Sequence, residues 1–383
     1  MKFNGMILQD TREAFNMSRR DLADKLGVSE QSVWQYETGV SFPKFEVINS
    51  LKRVFGVELS YFQKDISNPK IVRNSQVAYR ASLRGSMKNT KRETLYLSVI
   101  DSFLNELLNY VTLPEPTILS LSNKVIKLKL NGASLDEIAS YVRKNLKIDS
   151  NNNFMMASIE KSGVFILERS LNDNVDAYSA WTDNNRPYII LGTEKKGPRR
   201  LFDLAHELGH VLLHRNLEFD APETTPISRS LEKEANEFAA SFTLPKPEFT
   251  KLFLNNVKDP TNPKDYLELK EYFQMSIAAL EMRAHRLKLI SKEQSSRFWA
   301  RMNKFGFKKE EPLDEKIPFY VPGKIYAIFN SISRRQLQSL YNKTGVSRKY
   351  INDLIIPNAE DRVTFMKTDD VYAKKGNIIP ISR

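Results

Sequence analysis

Three of the four histidines in this 383-residue chain fall within nine residues, in the segment RRLFDLAHELGHVLLHR. On a helix, His206 and His210 stand one turn apart on one face and can hold one metal ion, while Glu207 beside the first ligand can reach a water on that ion. This is the His-Glu-x-x-His arrangement of zinc hydrolases. The chain has no cysteine, which excludes disulfides, thiolate zinc sites and cysteine nucleophiles, so zinc would have to be held by His and carboxylate. His214 lies eight residues beyond His206, about 12 Å along a helix axis. That is too far to share the metal, and a supporting or surface role is expected. His285, in RAHRLKL, reads as a helix-surface residue.

A catalytic zinc needs three protein ligands and an open position. The next amphipathic helix, SLEKEANEFAASFTLP, has Ala235, Phe238, Ala239 and Phe242 on its buried face. Its small alanines allow close approach to the histidine helix. Glu234 flanks the apolar face and is read as the third ligand, with Glu232 and Glu237 pointing elsewhere.

Around these helices the periodicity predicts a mainly α protein with a small antiparallel β-sheet, an α+β class. Residues 1–63 read as five short helices, 94–111 and 117–146 as helical with Ser134 as an N-cap, and SGVFILERSL, VDAYSAWT and RPYIILG as three strands of one antiparallel sheet. Helical patterns return at 198–215, 231–242 and 263–287. The strand RPYIILG precedes the metal helix and is expected to offer an edge that aligns an extended peptide. Tyr178 and Tyr188 are candidate oxyanion donors, with that role left unassigned. No internal repeat emerges.

The net charge of +12 is unevenly spread: residues 1–63 are neutral, 64–93 carry +6, 94–300 carry −1 and 301–383 carry +7. Two basic flanks of this kind attract phosphate backbones in a salt-dependent way. The expected organisation is a DNA-binding unit at 1–63, a basic linker at 64–93, a metallopeptidase domain at 94–245 with a helical extension at 246–300, and a basic region of unassigned role at 301–383. No 18-residue apolar window occurs and acidic residues interrupt the N-terminus early, so the expectation is a cytoplasmic protein with no membrane partner.

Within 1–63, SRRDLADKLGVSEQSVWQYETG combines a helix, a turn through Gly27 and a second helix capped by Ser29, the shape of a helix-turn-helix. With Arg12, Leu22-Ala23, Leu26-Gly27-Val28-Ser29 and Glu37-Thr38-Gly39, the run from about Leu8 to Phe62 resembles the XRE family of phage-repressor-like DNA-binding domains. The resemblance implies a buried Arg12–Glu37 ion pair and places Gln31, Ser32 and Gln35 on the groove side of the recognition helix, where Gln can bond an adenine edge. Arg19 and Lys44 are candidate phosphate contacts. Double-stranded operator DNA is the implied partner, and a homodimer is compatible with the neutral charge of the unit.

The stretch from about 120 to 290 resembles the ImmA/IrrE family of metallo-endopeptidases, through Phe202 and His206-Glu207-Leu208-Gly209-His210, Glu234-Ala235-Asn236-Glu237-Phe238-Ala239-Ala240 with Leu244-Pro245, and Met275-Ser276 with Arg286-Leu287. The resemblance implies Zn2+ held by His206, His210 and Glu234, with Glu207 as general base. It further implies a DNA-binding regulatory endopeptidase that cleaves a repressor or antitoxin-like protein in a bacterial or mobile-element circuit. The alternative is a transcriptional regulator whose metal-site domain senses a ligand or partner without proteolysis.

Overall fold

Capping chemistry sets the first helix boundaries in the computed structural model, which describes residues 3–63, 77–79, 87–171, 175–193, 197–215 and 226–356. Helices α1 (Gly5–Ala14), α2 (Arg19–Leu26), α3 (Glu30–Thr38) and α4 (Phe45–Phe55) lead into a 3-10 turn at Leu59–Gln63. Ser18 and Asp21 form a reciprocal capping box on α2, and Ser29 accepts from the Ser32 N–H to start α3. Leu8, Leu22, Val33, Leu51 and Phe55 are fully buried between them. This is the expected helix-turn-helix unit.

A four-stranded sheet organises the rest: β1 (Val77–Tyr79), β2 (Phe165–Arg169), β3 (Ala177–Trp181) and β4 (Pro187–Gly192), in the order β1-β3-β4-β2. Strands β1 and β3 are antiparallel, as are β3 and β4, but β2 runs parallel to β4, with Phe165 opposite Tyr188. The antiparallel expectation therefore holds for part of the sheet only. Every residue of β2 and β4 is buried, as is usual for strands paired in parallel, but β3 is equally buried and antiparallel, so burial alone does not set the direction. The order also places β4 inside the sheet, so it offers no free edge for strand addition.

Side chains alternate across this sheet and feed two cores. Ile166, Ala177, Trp181, Ile189 and Leu191 face one way. There they meet α6 (Ile118–Leu130), α7 (Leu135–Asn145), α8 (Met155–Lys161), α9 (Gly197–Leu213) and α10 (Pro226–Thr243), extended by α11 (Lys246–Asn256), α12 (Leu267–Phe273), α13 (Ile277–Arg286) and α14 (Lys292–Lys304). Phe165, Leu167, Tyr178, Ala180, Tyr188 and Ile190 face the other way. They join the N-terminal helices, the long α5 (Met87–Leu108) and the C-terminal α15 (Lys324–Ser331), α16 (Arg334–Thr344) and α17 (Arg348–Leu354) in one continuous cluster.

That second core changes the expected organisation in two places. The segment 64–93 is not an uninterrupted linker, since Val77–Tyr79 is a sheet strand, α5 begins at Met87 and Glu93 is buried. Its remaining basic residues at 64–76 and 80–86 lie outside the described residues, as do residues 357–383 of the basic C-terminal region. Residues 333–347 also repeat the local chemistry of 18–29. Ser333 and Gln336 form a capping box, and Gly345 ends α16 at φ 69° where Gly27 ends α2 at φ 67°. The same Gly-Val-Ser sequence follows at both turns. Because α16 has 11 residues and α2 has 8, no fixed period links the two in the sequence. The C-terminal turn docks onto the N-terminal unit: the Glu58 N–H donates to the Gly345 carbonyl (2.7 Å), the Ser347 N–H donates to the Gly56 carbonyl (2.9 Å), and Tyr350 packs against Phe15 and Tyr61.

Candidate metal centre and nucleic-acid face

Helix α9 carries His206, Glu207 and His210, all nearly fully buried, on the face turned to α10 and the sheet. Gly209 explains the close approach of α10. A Cβ there would stand 3.1 Å from the Phe238 ring and 3.4 Å from the Ala235 backbone, so a side chain at this position would press the Phe238 ring aside by a few tenths of an ångström. This contact brings Glu232 to the histidines, with carboxylate oxygens 3.4 Å from His206 Nε2 and 3.2 Å from His210 Nε2. Among the described residues, His206, His210 and Glu232 form the one cluster of metal-ligand type, with all donor atoms within 4.8 Å of one another.

The structure thus places Glu232 where Glu234 was expected. At about 100° per residue, the two carboxylates flank opposite edges of the Ala235–Phe238–Ala239–Phe242 stripe, Glu232 roughly 70° and Glu234 roughly 90° from its centre. Position 232 shares its edge with Asn236 one turn on, and Asn236 Oδ1 lies 3.0 Å from His206 Nδ1. Glu234 turns to the other side, where its Oε2 lies 2.8 Å from His214 Nε2 and 2.6 Å from Lys129 Nζ. The i, i+4 relation between Glu232 and Asn236 was the sequence signal that could have separated the two glutamates.

The donor chemistry fits a zinc-type cation. With Asn236 Oδ1 accepting at His206 Nδ1, the Nε2 of that ring is a bare lone pair, and it faces His210 Nε2 at 3.1 Å. Two neutral imidazole nitrogens and a carboxylate converging on one point repel one another unless a cation sits between them. Burial pushes His210 down to about 4, which keeps it neutral and available as a ligand.

Glu207 points to the sheet side of this cluster and accepts a 2.7 Å hydrogen bond from the Ser179 hydroxyl on β3. Burial raises its carboxyl to about 7 against the opposing pull of His206 and Ser179, a value suited to taking and returning a proton near neutral pH. Tyr178 and Tyr188 are not oxyanion donors. Both lie on the far face of the sheet, where Tyr178 donates to Glu93 (2.9 Å) and Tyr188 to Asp101 (2.7 Å). His285 is exposed, as expected.

In the N-terminal unit Glu37 is buried and its carboxylate takes Arg12 Nε at 2.5 Å, the expected ion pair, and also Arg19 Nε at 2.6 Å. Arg19, read as a phosphate contact, is therefore first a structural partner of Glu37, with its side chain about one third exposed (36%). Gln31 and Lys44 are exposed, and Ser32 and Gln35 half-buried, on the α3 and α4 surface. Trp34, Phe42 and Phe45 are exposed beside them. Ser32 Oγ lies 2.8 Å from Ser29 Oγ, which ties it to the cap.

Comparison with known proteins agrees with this division. Residues 8–62 match a family model described as helix-turn-helix, and residues 159–285 match a peptidase family model described as IrrE N-terminal-like domain. Among curated proteins it is similar to the endothelial differentiation-related factor 1 homolog of Xenopus laevis, 34% identical over 65 residues, which is 17% of this chain and 43% of the relative. The Gallus gallus homolog is 32% identical and Homo sapiens endothelial differentiation-related factor 1 is 31% identical, over the same shares. The chain thus spans less than half the length of these relatives. No helix among the described residues is long and apolar enough to cross a membrane.

Proposed function

We propose that this chain is a cytoplasmic, DNA-binding regulatory zinc metallo-endopeptidase that binds operator DNA through α2 and α3 and cleaves a repressor or antitoxin-like protein. The observation that carries this reading is the placement of Glu207 beside the convergent His206, His210 and Glu232, since a purely structural metal site has no use for a second buried carboxylate outside the ligand set. Zinc, when held by those three residues, would polarise the scissile carbonyl and lower the pKa of water toward 7. Glu207 then accepts the water proton and returns it to the leaving amine nitrogen, while Ser179 holds its carboxylate in place. Asn236 keeps His206 in the tautomer that directs Nε2 inward.

A second reading, a regulator that senses a ligand or partner without cleavage, draws support from the burial of Glu207 and of both histidines in this conformation. Incubating the zinc-loaded protein with regulators encoded beside it separates the two. The proteolytic reading expects a cut that Glu207→Gln abolishes. No cut with any of them, alongside full zinc occupancy, favours the sensor.

A further inference from the structure

His210 Nδ1 lies 2.9 Å from His214 Nδ1, His214 Nε2 lies 2.8 Å from Glu234 Oε2, and the same oxygen lies 2.6 Å from Lys129 Nζ on α6. These contacts form one line from a metal-facing imidazole to the protein surface, drawn from three helices. His214 is fully buried. With His214 neutral, a single assignment of protons satisfies both contacts. Glu234 can only accept, so His214 donates through Nε2. Neutral His214 then accepts at Nδ1, which requires His210 to carry its proton on Nδ1 and leaves His210 Nε2 bare toward His206 and Glu232.

We infer that His214 and Glu234 are positioning residues that fix the tautomer and ring orientation of His210, so that its Nε2 is presented to a metal ion before the ion arrives. This rests on the metal-binding reading above and assigns the two residues a role distinct from ligation. Lys129 holds the Glu234 carboxylate at the outer end, where its side chain is 37% exposed. The same logic operates at the first ligand through Asn236, so each histidine is held by a different partner on α10 or at the end of α9. Outer partners of this kind typically contribute roughly ten- to a hundredfold in metal affinity.

The test measures zinc affinity of the full chain by chelator competition and the protonated nitrogen of His210 by imidazole 15N NMR of the metal-free protein. His214→Phe and Glu234→Ala are expected to weaken zinc roughly ten- to a hundredfold while leaving one site per chain, and to mix the His210 tautomers. His214→Gln, whose amide oxygen can accept from His210 and whose NH2 can donate to Glu234, is expected to restore affinity to within a few-fold. Should His214→Phe fail to fold, Glu234→Ala and His214→Gln decide the matter. Unchanged affinity and tautomer in Glu234→Ala would overturn the relay. Complete loss of zinc in Glu234→Ala, matching His210→Ala, would make Glu234 a ligand and overturn it equally. If the unsubstituted chain binds no zinc, the metal-binding reading itself falls, an outcome distinct from either.

Discussion

Ser179 and Tyr178 are consecutive on β3 and hydrogen-bond to carboxylates on opposite sides of the sheet, Ser179 to Glu207 of the metal helix and Tyr178 to Glu93 of α5. The alternation of a strand therefore divides one dipeptide between the metal domain and the core shared with the DNA-binding unit. Ser179→Ala removes a hydrogen bond to a group that must carry charge, which costs roughly 1.5–3 kcal/mol. The expected result is about a tenfold or greater loss of kcat/KM at unchanged zinc content. Tyr178→Phe instead leaves Glu93 without that donor in a buried setting and should lower the unfolding midpoint with little effect on turnover.

Glu207 gives a pH dependence of stability with a definite sign. Its folded carboxyl is raised to about 7 from 4.5 by burial, so in metal-free protein the folded state binds the extra proton between those values. Its favourable contribution is complete below about pH 4.5 and is lost as pH rises through 7. Glu207→Gln keeps the group neutral throughout. Metal-free Glu207→Gln should therefore exceed the unsubstituted protein in stability at pH 8 by up to roughly 3 kcal/mol, and show no such gain at pH 4.5. Paired melts at the two pH values check this.

The ligand assignment predicts separable losses. His206→Ala, His210→Ala and Glu232→Ala should each abolish stoichiometric zinc, whereas Glu207→Gln should retain it and lose hydrolysis. Metal analysis of purified variants gives the answer. Full zinc in Glu232→Ala would return the third-ligand role to another carboxylate.

The residues that made the site legible were those with local spacing. His206, Glu207 and His210 are fixed relative to one another by a single helix, and the capping boxes at Ser18 and Ser134 are equally local. Glu232 was misread because the choice between it and Glu234 depends on which edge of α10 meets α9, a contact between helices joined by residues 214–225. Ser179 escaped for the same reason, since its role exists only once β3 is packed on α9, and the supporting role expected of His214 had no named partner before α10 was placed. The parallel pairing of β2 with β4 and the docking of Gly345 on Glu58 join residues far apart in sequence, and no periodicity announces such contacts.

That docking makes the DNA-binding unit dependent on the C-terminus. Tyr350 is buried among Phe15 and Tyr61, and its hydroxyl lies 3.4 Å from that of Tyr61. Tyr350→Ala should cost about 3–5 kcal/mol by analogy with other large aromatic truncations. The loss should appear in the melting of the N-terminal helices as well as in that of α17. A fragment of residues 1–63 exposes the same face and should be less stable than those residues are in the full chain, as hydrogen exchange on α1 and α4 would report.

The surface of α3 and α4 separates reading from anchoring. Gln31 in the first turn of α3 and Gln35 one turn further on can reach base edges, and replacing either with Ala should cost about 1–3 kcal/mol at the cognate operator and little at random DNA. Lys44→Ala should weaken both by similar factors and reduce the salt slope by about one unit, because phosphates carry no sequence. Arg19→Ala behaves differently from a simple phosphate contact. Its partner Glu37 is buried and shared with Arg12, so removing Arg19 should also lower the unfolding midpoint of the helix-turn-helix, whereas Lys44→Ala should not. Binding titrations on specific and random duplexes at two salt concentrations, read beside melting curves, distinguish the three behaviours. Should Gln31→Ala and Gln35→Ala leave the specific-to-nonspecific ratio intact, α3 is not the helix that reads the operator. The exposed Trp34 and the Phe42–Phe45 surface would then become the next positions to substitute.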